Sequence, residues 1–150
     1  MAQSLARIYI HIVFSTKERR PFIEPEIEPE FYAYIAGAIK KMDGLPCLIN
    51  GTADHVHILS TLPRTATLAK FIEGIKRPSS QWIKTKGQMY QKFAWQNGYG
   101  AFSVSSSRAS SVKRYIAGQK EHHRTTSFKE EFIEFLRKYN VQYDERYLWD

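Results

Sequence analysis

Residues 7–15 alternate strictly: Ile8, Ile10, Ile12 and Phe14 fall on one face, Tyr9, His11 and Val13 on the other. Successive side chains of a strand point to opposite faces, so this period of two predicts a strand with one face packed on helices. The period becomes helical at Phe31, Ile35, Ala38, Ile39 and Met42, and Asp43-Gly44 ends the helix. The acidic run over residues 24–30 suits a helix N-terminus, where carboxylates meet the positive end of the dipole and a proline forfeits no hydrogen bond. Residues 45–50 predict a second strand, 51–54 a turn, and His55 to about Leu62 a third strand closed by Pro63. Thr67 is placed to cap a second helix carrying Leu68, Phe71, Ile72 and Ile75 inward. Pro78 lacks an N–H, which predicts a kink or break before Trp82 and Ile83. A loop over 87–100 leads to a fourth strand over 101–106, then a serine-rich cap over 107–111. A third helix is predicted from Val112 to about His122, and a fourth carries Phe128, Phe132, Phe135, Leu136 and Tyr139 on one stripe.

Strand, helix, strand, strand, helix, strand, followed by helices, is the order of the ferredoxin-like split βαβ arrangement. The expected class is α+β: a sandwich of an antiparallel sheet with helices on one face, and the helix bearing Tyr115 near the open face. No linker or repeat divides the chain, so residues 1–150 read as a single domain. The open face would display Tyr9, His11, His55 and His57 together.

His55 and His57, two apart on a strand, point the same way while Val56 and Ile58 point into the core. Such a pair either shares one divalent cation or forms a polar pair on a solvent face. Tyr115 and Gln119, four apart, project from one helix face about a turn apart. If that helix crosses the open sheet face, Gln119 offers an amide oxygen to a cation held by the histidines, and Tyr115 stands beside it. Two imidazoles and one amide oxygen leave positions open for a phosphate, which suits a catalytic Mg2+ or Mn2+. A free phenol has a pKa near 10, so Tyr115 needs a polarised phosphate to attack, and the product of attack is a covalent phosphotyrosine.

Lys and Arg number 22 against 15 acids, a formal net charge of +7, and several basic residues stand beside aromatics, as in Lys92-Phe93 and Lys113-Arg114-Tyr115. Phosphates are drawn to the first and unpaired bases stack on the second, so single-stranded nucleic acid is a fitting partner; the plainer reading is a solubility surface over an aromatic core. The single cysteine, Cys47, has no internal disulfide partner and reads as a small core residue of a cytoplasmic protein. No apolar run is long enough to cross a bilayer, and the start of the chain lacks a signal-peptide pattern, so no membrane association is expected.

The segments Tyr9-Ile10-His11-Ile12-Val13-Phe14-Ser15-Thr16-Lys17 and Asp54-His55-Val56-His57-Ile58-Leu59 carry a resemblance, as do Ile75-Lys76, Ser79-Ser80, Trp82-Ile83 and the loop over 95–105. So do Tyr115-Ile116, Gln119, Glu121-His122-His123 and Asp144-Glu145-Arg146-Tyr147. Together the chain resembles the single-tyrosine HUH transposases, the TnpA-type enzymes of insertion sequences that move as single-stranded DNA. The resemblance implies His55 and His57 as metal ligands, Gln119 as the third, and Tyr115 as the nucleophile. It also implies a homodimer that cleaves and rejoins single-stranded DNA at hairpin-bearing ends through a 5′-phosphotyrosine, with sites shared between the subunits.

The neighbours have plainer readings beside this one. His11 lines the site or contacts DNA; His122 and His123 cap a helix C-terminus at the surface, with a phosphate contact open to His122. Lys17, Arg19 and Arg20 form a solvated turn suited to backbone contacts, as are Lys113 and Arg114 beside the tyrosine. Asp54 either begins the strand or accepts a hydrogen bond behind a histidine, and Trp95, Tyr99 and Phe102 are core, stacking platforms or both. A histidine-triad nucleotide hydrolase would place another histidine where Leu59 stands. A relaxase-like HUH nickase would need its tyrosine ahead of the histidines, and Tyr9, inside a strand, is a poor one. A non-catalytic single-strand binding module is the remaining alternative.

Overall fold

In this computed structural model residues 2–150 are described. The strands are β1 (Tyr9–Ser15), β2 (Pro46–Thr52), β3 (His55–Thr61) and β4 (Gly100–Val104). The helices are α1 (Glu28–Lys41), α2 (Leu68–Ile83), α3 (Ala109–Ala117), α4 (Gln119–His122) and α5 (Phe128–Lys138). The sheet runs β2-β3-β1-β4, antiparallel throughout, which is the ferredoxin-like order expected from the sequence. Its register sets Ser15 opposite His55, Val13 opposite His57 and His11 opposite Leu59, so the three histidines share one face.

Ile10, Ile12, Phe14, Val56 and Ile58 face the other way and meet Phe31, Ile35 and Ile39 of α1 and Phe71, Ile72 and Ile75 of α2. Phe31 stacks on both Trp82 and Trp95, with ring planes 9° and 8° from parallel. On the histidine face α3 lies over the sheet as expected, and α5 covers it as well. Val13 and Phe102 pack on Phe128, Phe132 and Leu136, while Leu59 and Val104 pack on Ile116.

Two helices depart from the expected boundaries. Helix α2 runs through Pro78 as one unbroken helix. Ser79 follows the proline, and its hydroxyl donates to the carbonyls of Ile75 and Lys76 (2.7 and 3.1 Å) while accepting from the Trp95 indole (3.0 Å), which ties this turn of the helix to the loop after α2. The expected third helix, in contrast, is two. Helix α3 begins three residues earlier than expected, at Ala109, and ends at Gly118, whose N–H reaches the carbonyls of Arg114 and Tyr115. Gln119 then starts α4.

Helix α5 is fixed at its start by a reciprocal capping pair between Ser127 and Glu130. Its buried stripe contains Phe128, Phe132 and Leu136, and, among them, Glu131, 1% exposed. No helix among the described residues is long and apolar enough to cross a membrane.

Candidate active site and metal centre

The tight β2–β3 turn brings Asp54 directly before His55, and the pleat of β3 then aims His55 and His57 at the same point. Both rings are fully buried. Nδ1 of His55 lies 2.7 Å from Asp54 Oδ1, which settles Asp54 as the group behind the histidine. Nε2 of the same ring lies 3.1 Å from Gln119 Oε1 and 3.7 Å from Glu131 Oε1. For His57, Nδ1 is 2.8 Å from His11 Nε2 and Nε2 is 2.8 Å from Glu131 Oε1. His123 repeats the pattern: Nδ1 meets the Thr126 carbonyl oxygen at 2.6 Å and Nε2 meets Glu131 Oε1 at 3.0 Å. Three imidazoles therefore have Nδ1 anchored and Nε2 converging on one carboxylate oxygen.

The other carboxylate oxygen serves the side of Tyr115 and Gln119. Glu131 Oε2 accepts from the Tyr115 hydroxyl and, at 3.0 Å, from the Gln119 amide. The break at Gly118 thus leaves Tyr115 and Gln119 on the same target, although they belong to different helices.

Electrostatics follow from burial and from that carboxylate. Burial pushes the His57 imidazole down to about 4, against the opposing pull of Glu131. Burial likewise lowers His11, with the neighbouring His57 adding to the effect. For Glu131 burial favours the neutral acid, but hydrogen bonds from His123 and His57 outweigh it and hold the carboxyl well below its ordinary range. The Tyr115 phenol is pushed up by burial first, then by its bond to Glu131.

Of the residues singled out in the sequence, His55, His57, Tyr115 and Gln119 are brought together. The contacts described for all four are within one chain. His11 is 1% exposed, supports His57 and lines the site. His122 is also drawn toward the site: Nε2 is buried without a hydrogen-bond partner, 3.4 Å from Glu131 Oε2. Lys17, Arg20, Lys113 and Arg114 are exposed, while Arg19 is half-buried and donates to the Trp149 carbonyl (3.1 Å). Trp95 and Phe102 are core; Tyr99 is exposed at the mouth of the loop.

Sequence reasoning missed Glu131 and gave His123 only a surface role. A signal for Glu131 existed: an acid three residues after Phe128 and four before Phe135 stands inside an apolar stripe, where an unpaired carboxylate is rare. Openings reach the site from two sides. A groove of about 580 Å³ beside Tyr115 is lined by His11, Ser103, Arg108, Phe135, Lys138 and Tyr139. A second, of about 390 Å³, is lined by Asp54, Lys120 and His123 among others.

Comparison with solved structures shows the same fold elsewhere. A candidate transposase from Deinococcus radiodurans R1 is 16% identical with a TM-score of 0.61, covering 79% of this chain and 98% of that one. A REP-associated tyrosine transposase, solved bound to a REP hairpin, is 10% identical with a TM-score of 0.53, covering 79% of this chain and 70% of that one. No curated protein matches. Residues 4–119, from before β1 to the first residue of α4, match the family described as "Transposase IS200 like", and the chain belongs to that family of transposases.

Proposed function

We propose that this transposase cleaves and rejoins single-stranded DNA by transesterification, with Tyr115 as the nucleophile and a 5′-phosphotyrosine as the intermediate. The observation that carries this reading is the meeting of the Tyr115 hydroxyl and the His55–His57 pair on a single buried carboxylate. A tyrosine alone on a helix is common; a tyrosine whose hydroxyl shares a carboxylate with two convergent imidazoles supports the reading of a nucleophile beside a metal centre.

The donor set fits a divalent cation. His55 faces oxygen acceptors at both ring nitrogens, Asp54 at one and Gln119 at the other. A neutral imidazole donates at only one nitrogen, so its other lone pair lies against an oxygen unless a cation intervenes. His55, His57 and Gln119 would hold Mg2+ or Mn2+, which when bound polarises the scissile phosphate and stabilises its developing charge.

The chain's own groups account for the rest. As the Tyr115 Oη–P bond forms, the P–O3′ bond breaks; the phenolic proton leaves past Glu131 Oε2 to water and the departing 3′-oxygen takes one proton from water, so no net proton is consumed. Attack of a 3′-hydroxyl on the phosphotyrosine reverses these changes and joins the strands. His11 and Asp54 hold the two histidine rings in register with this chemistry. The +7 charge and the exposed Lys17, Arg20, Lys113 and Arg114 supply phosphate contacts. The hairpin bound by the REP-associated relative makes a DNA hairpin the substrate to try first. Tyr115→Phe removes only the attacking oxygen. It is expected to abolish cleavage and the covalent protein–DNA adduct while leaving hairpin binding within about twofold; an adduct that persists overturns the assignment.

A further inference from the structure

His123 and Glu131 stand beyond residues 4–119, and the reaction proposed above does not require either as a ligand. Their geometry is nonetheless that of ligands. The donor atoms of His55, His57, His123 and Glu131 all lie within 4.8 Å of one another. Neighbouring ligands of a cation bound at about 2.1 Å stand about 3 to 3.4 Å apart, and the Nε2 atoms of His57, His123 and His55 lie at 2.8, 3.0 and 3.7 Å from Glu131 Oε1. His123, like His55, faces an oxygen at both nitrogens, the Thr126 carbonyl at Nδ1 and Glu131 at Nε2. Without a cation the ring meets both oxygens only as an imidazolium, which, against the opposing effect of burial, Glu131 favours by raising its pKa; a cation shared with Glu131 would take the place of the Nε2 proton. Each of these three rings also has its far nitrogen anchored, the arrangement that fixes imidazoles for ligation.

We propose that His55, His57, His123 and Glu131 form a three-imidazole, one-carboxylate centre for a transition-type divalent cation, with Glu131 joining that cation to the nucleophile. Oε1 ligates; Oε2 holds the Tyr115 hydroxyl and the Gln119 amide. Gln119 then positions Glu131 in addition to offering its own oxygen at the His55 side. This rests on the metal reading above and deepens it: three nitrogen donors favour Mn2+, Co2+ or Zn2+ over Mg2+, which prefers oxygen and keeps its water.

The test is metal binding by the full chain, stripped with chelator, measured by calorimetry with MnCl2, CoCl2 and MgCl2 and independent of any DNA. One equivalent of Mn2+ or Co2+ is expected to bind at least tenfold more tightly than Mg2+. Glu131→Gln and His123→Ala are each expected to weaken Mn2+ binding at least tenfold, as His57→Ala does. Wild-type affinity in both of the first two variants, with loss in His57→Ala, overturns the extended centre and leaves the smaller site of His55, His57 and Gln119. Undiminished binding in all three variants overturns the metal reading of the histidine pair itself. Equal affinity for Mg2+ and Mn2+ also refutes the nitrogen-rich shell. Should either substitution unfold the protein, the native chain still decides the matter. Zn2+, which is diamagnetic, is expected to shift the Nε2 nitrogen resonance of His123 in NMR spectra together with those of His55 and His57. An unshifted His123 Nε2 resonance overturns the proposal.

Discussion

Glu131 shows how a residue can be decisive and still hard to read. Its two partners of greatest consequence, His57 and Tyr115, lie 74 and 16 residues away, and no local spacing announces either contact. His55, His57, Tyr115 and Gln119 were legible because periods of two and four put each pair on one face before any tertiary contact was known. The anchoring groups behind the rings make a separate prediction. Asp54→Ala removes the carboxylate acceptor at His55 Nδ1, leaving only the Thr52 hydroxyl 3.0 Å away, and keeps every candidate ligand in place. Cation affinity is expected to fall about 10–100-fold, with thermal unfolding displaced little; calorimetry beside a melting curve measures both. Away from the site, the Tyr32 hydroxyl is buried without a hydrogen-bond partner. Tyr32→Phe deletes a group that folding strips of water for no return, so stability is expected to stay level or rise by about 1 kcal/mol in urea denaturation.

At the scale of elements, alternation and helical spacing located the four strands and the helices that cover them, and the errors lie where one residue's local preference met a tertiary solution. Pro78 argued for a break in α2, yet Ile72 and Ile75 before it and Ile83 after it pack into one core, Ser79 is tied to Trp95, and the helix continues. Gly118 carried the opposite message, a stop, and the run of helical residues on either side concealed it. Gly51 makes the sharpest case for a backbone requirement. A Cβ there would overlap the His55 carbonyl and come within 2.9 Å of the Val56 Cα, both backbone atoms of β3. The strand that carries the histidines can therefore approach β2 only because position 51 has no side chain. Gly51→Ala is expected to cost about 1–3 kcal/mol by overpacking and to shift His55 away from Gln119. Equilibrium denaturation reads the first effect and weakened Mn2+ binding the second; a wild-type result in both would show that the hairpin yields freely.

The whole molecule is tied together at the end of the sheet where the histidines sit. The carbonyl of Asp150 accepts from the amides of Asn97 and Gly98, Arg19 holds the Trp149 carbonyl, and the Trp149 ring packs near Phe128 and Phe132. These contacts fasten α5, with Glu131 on it, to the loop after α2 and the turn after β1. Composition foresaw a basic molecule but said nothing of this fastening, because it joins segments far apart in sequence. It bears on assembly: β3, α3, α4 and α5 of one chain supply Tyr115, both histidines, Gln119 and Glu131, and the bonds among them are already formed within that chain. Mixing His57→Ala protein with Tyr115→Phe protein tests whether that holds in solution. If each site is built within one chain, every site in the mixture lacks either a histidine or the nucleophile, even in mixed dimers. Cleavage of single-stranded DNA is then expected to remain at the level of the separate variants, after co-purification of differently tagged chains has verified that subunits exchange. Were α3 and α4 instead donated to a partner, one of the two sites in a mixed dimer would combine an intact histidine pair with an intact tyrosine. Return of cleavage on mixing would therefore show that these helices cross between subunits, and that the bonds to Glu131 are remade there.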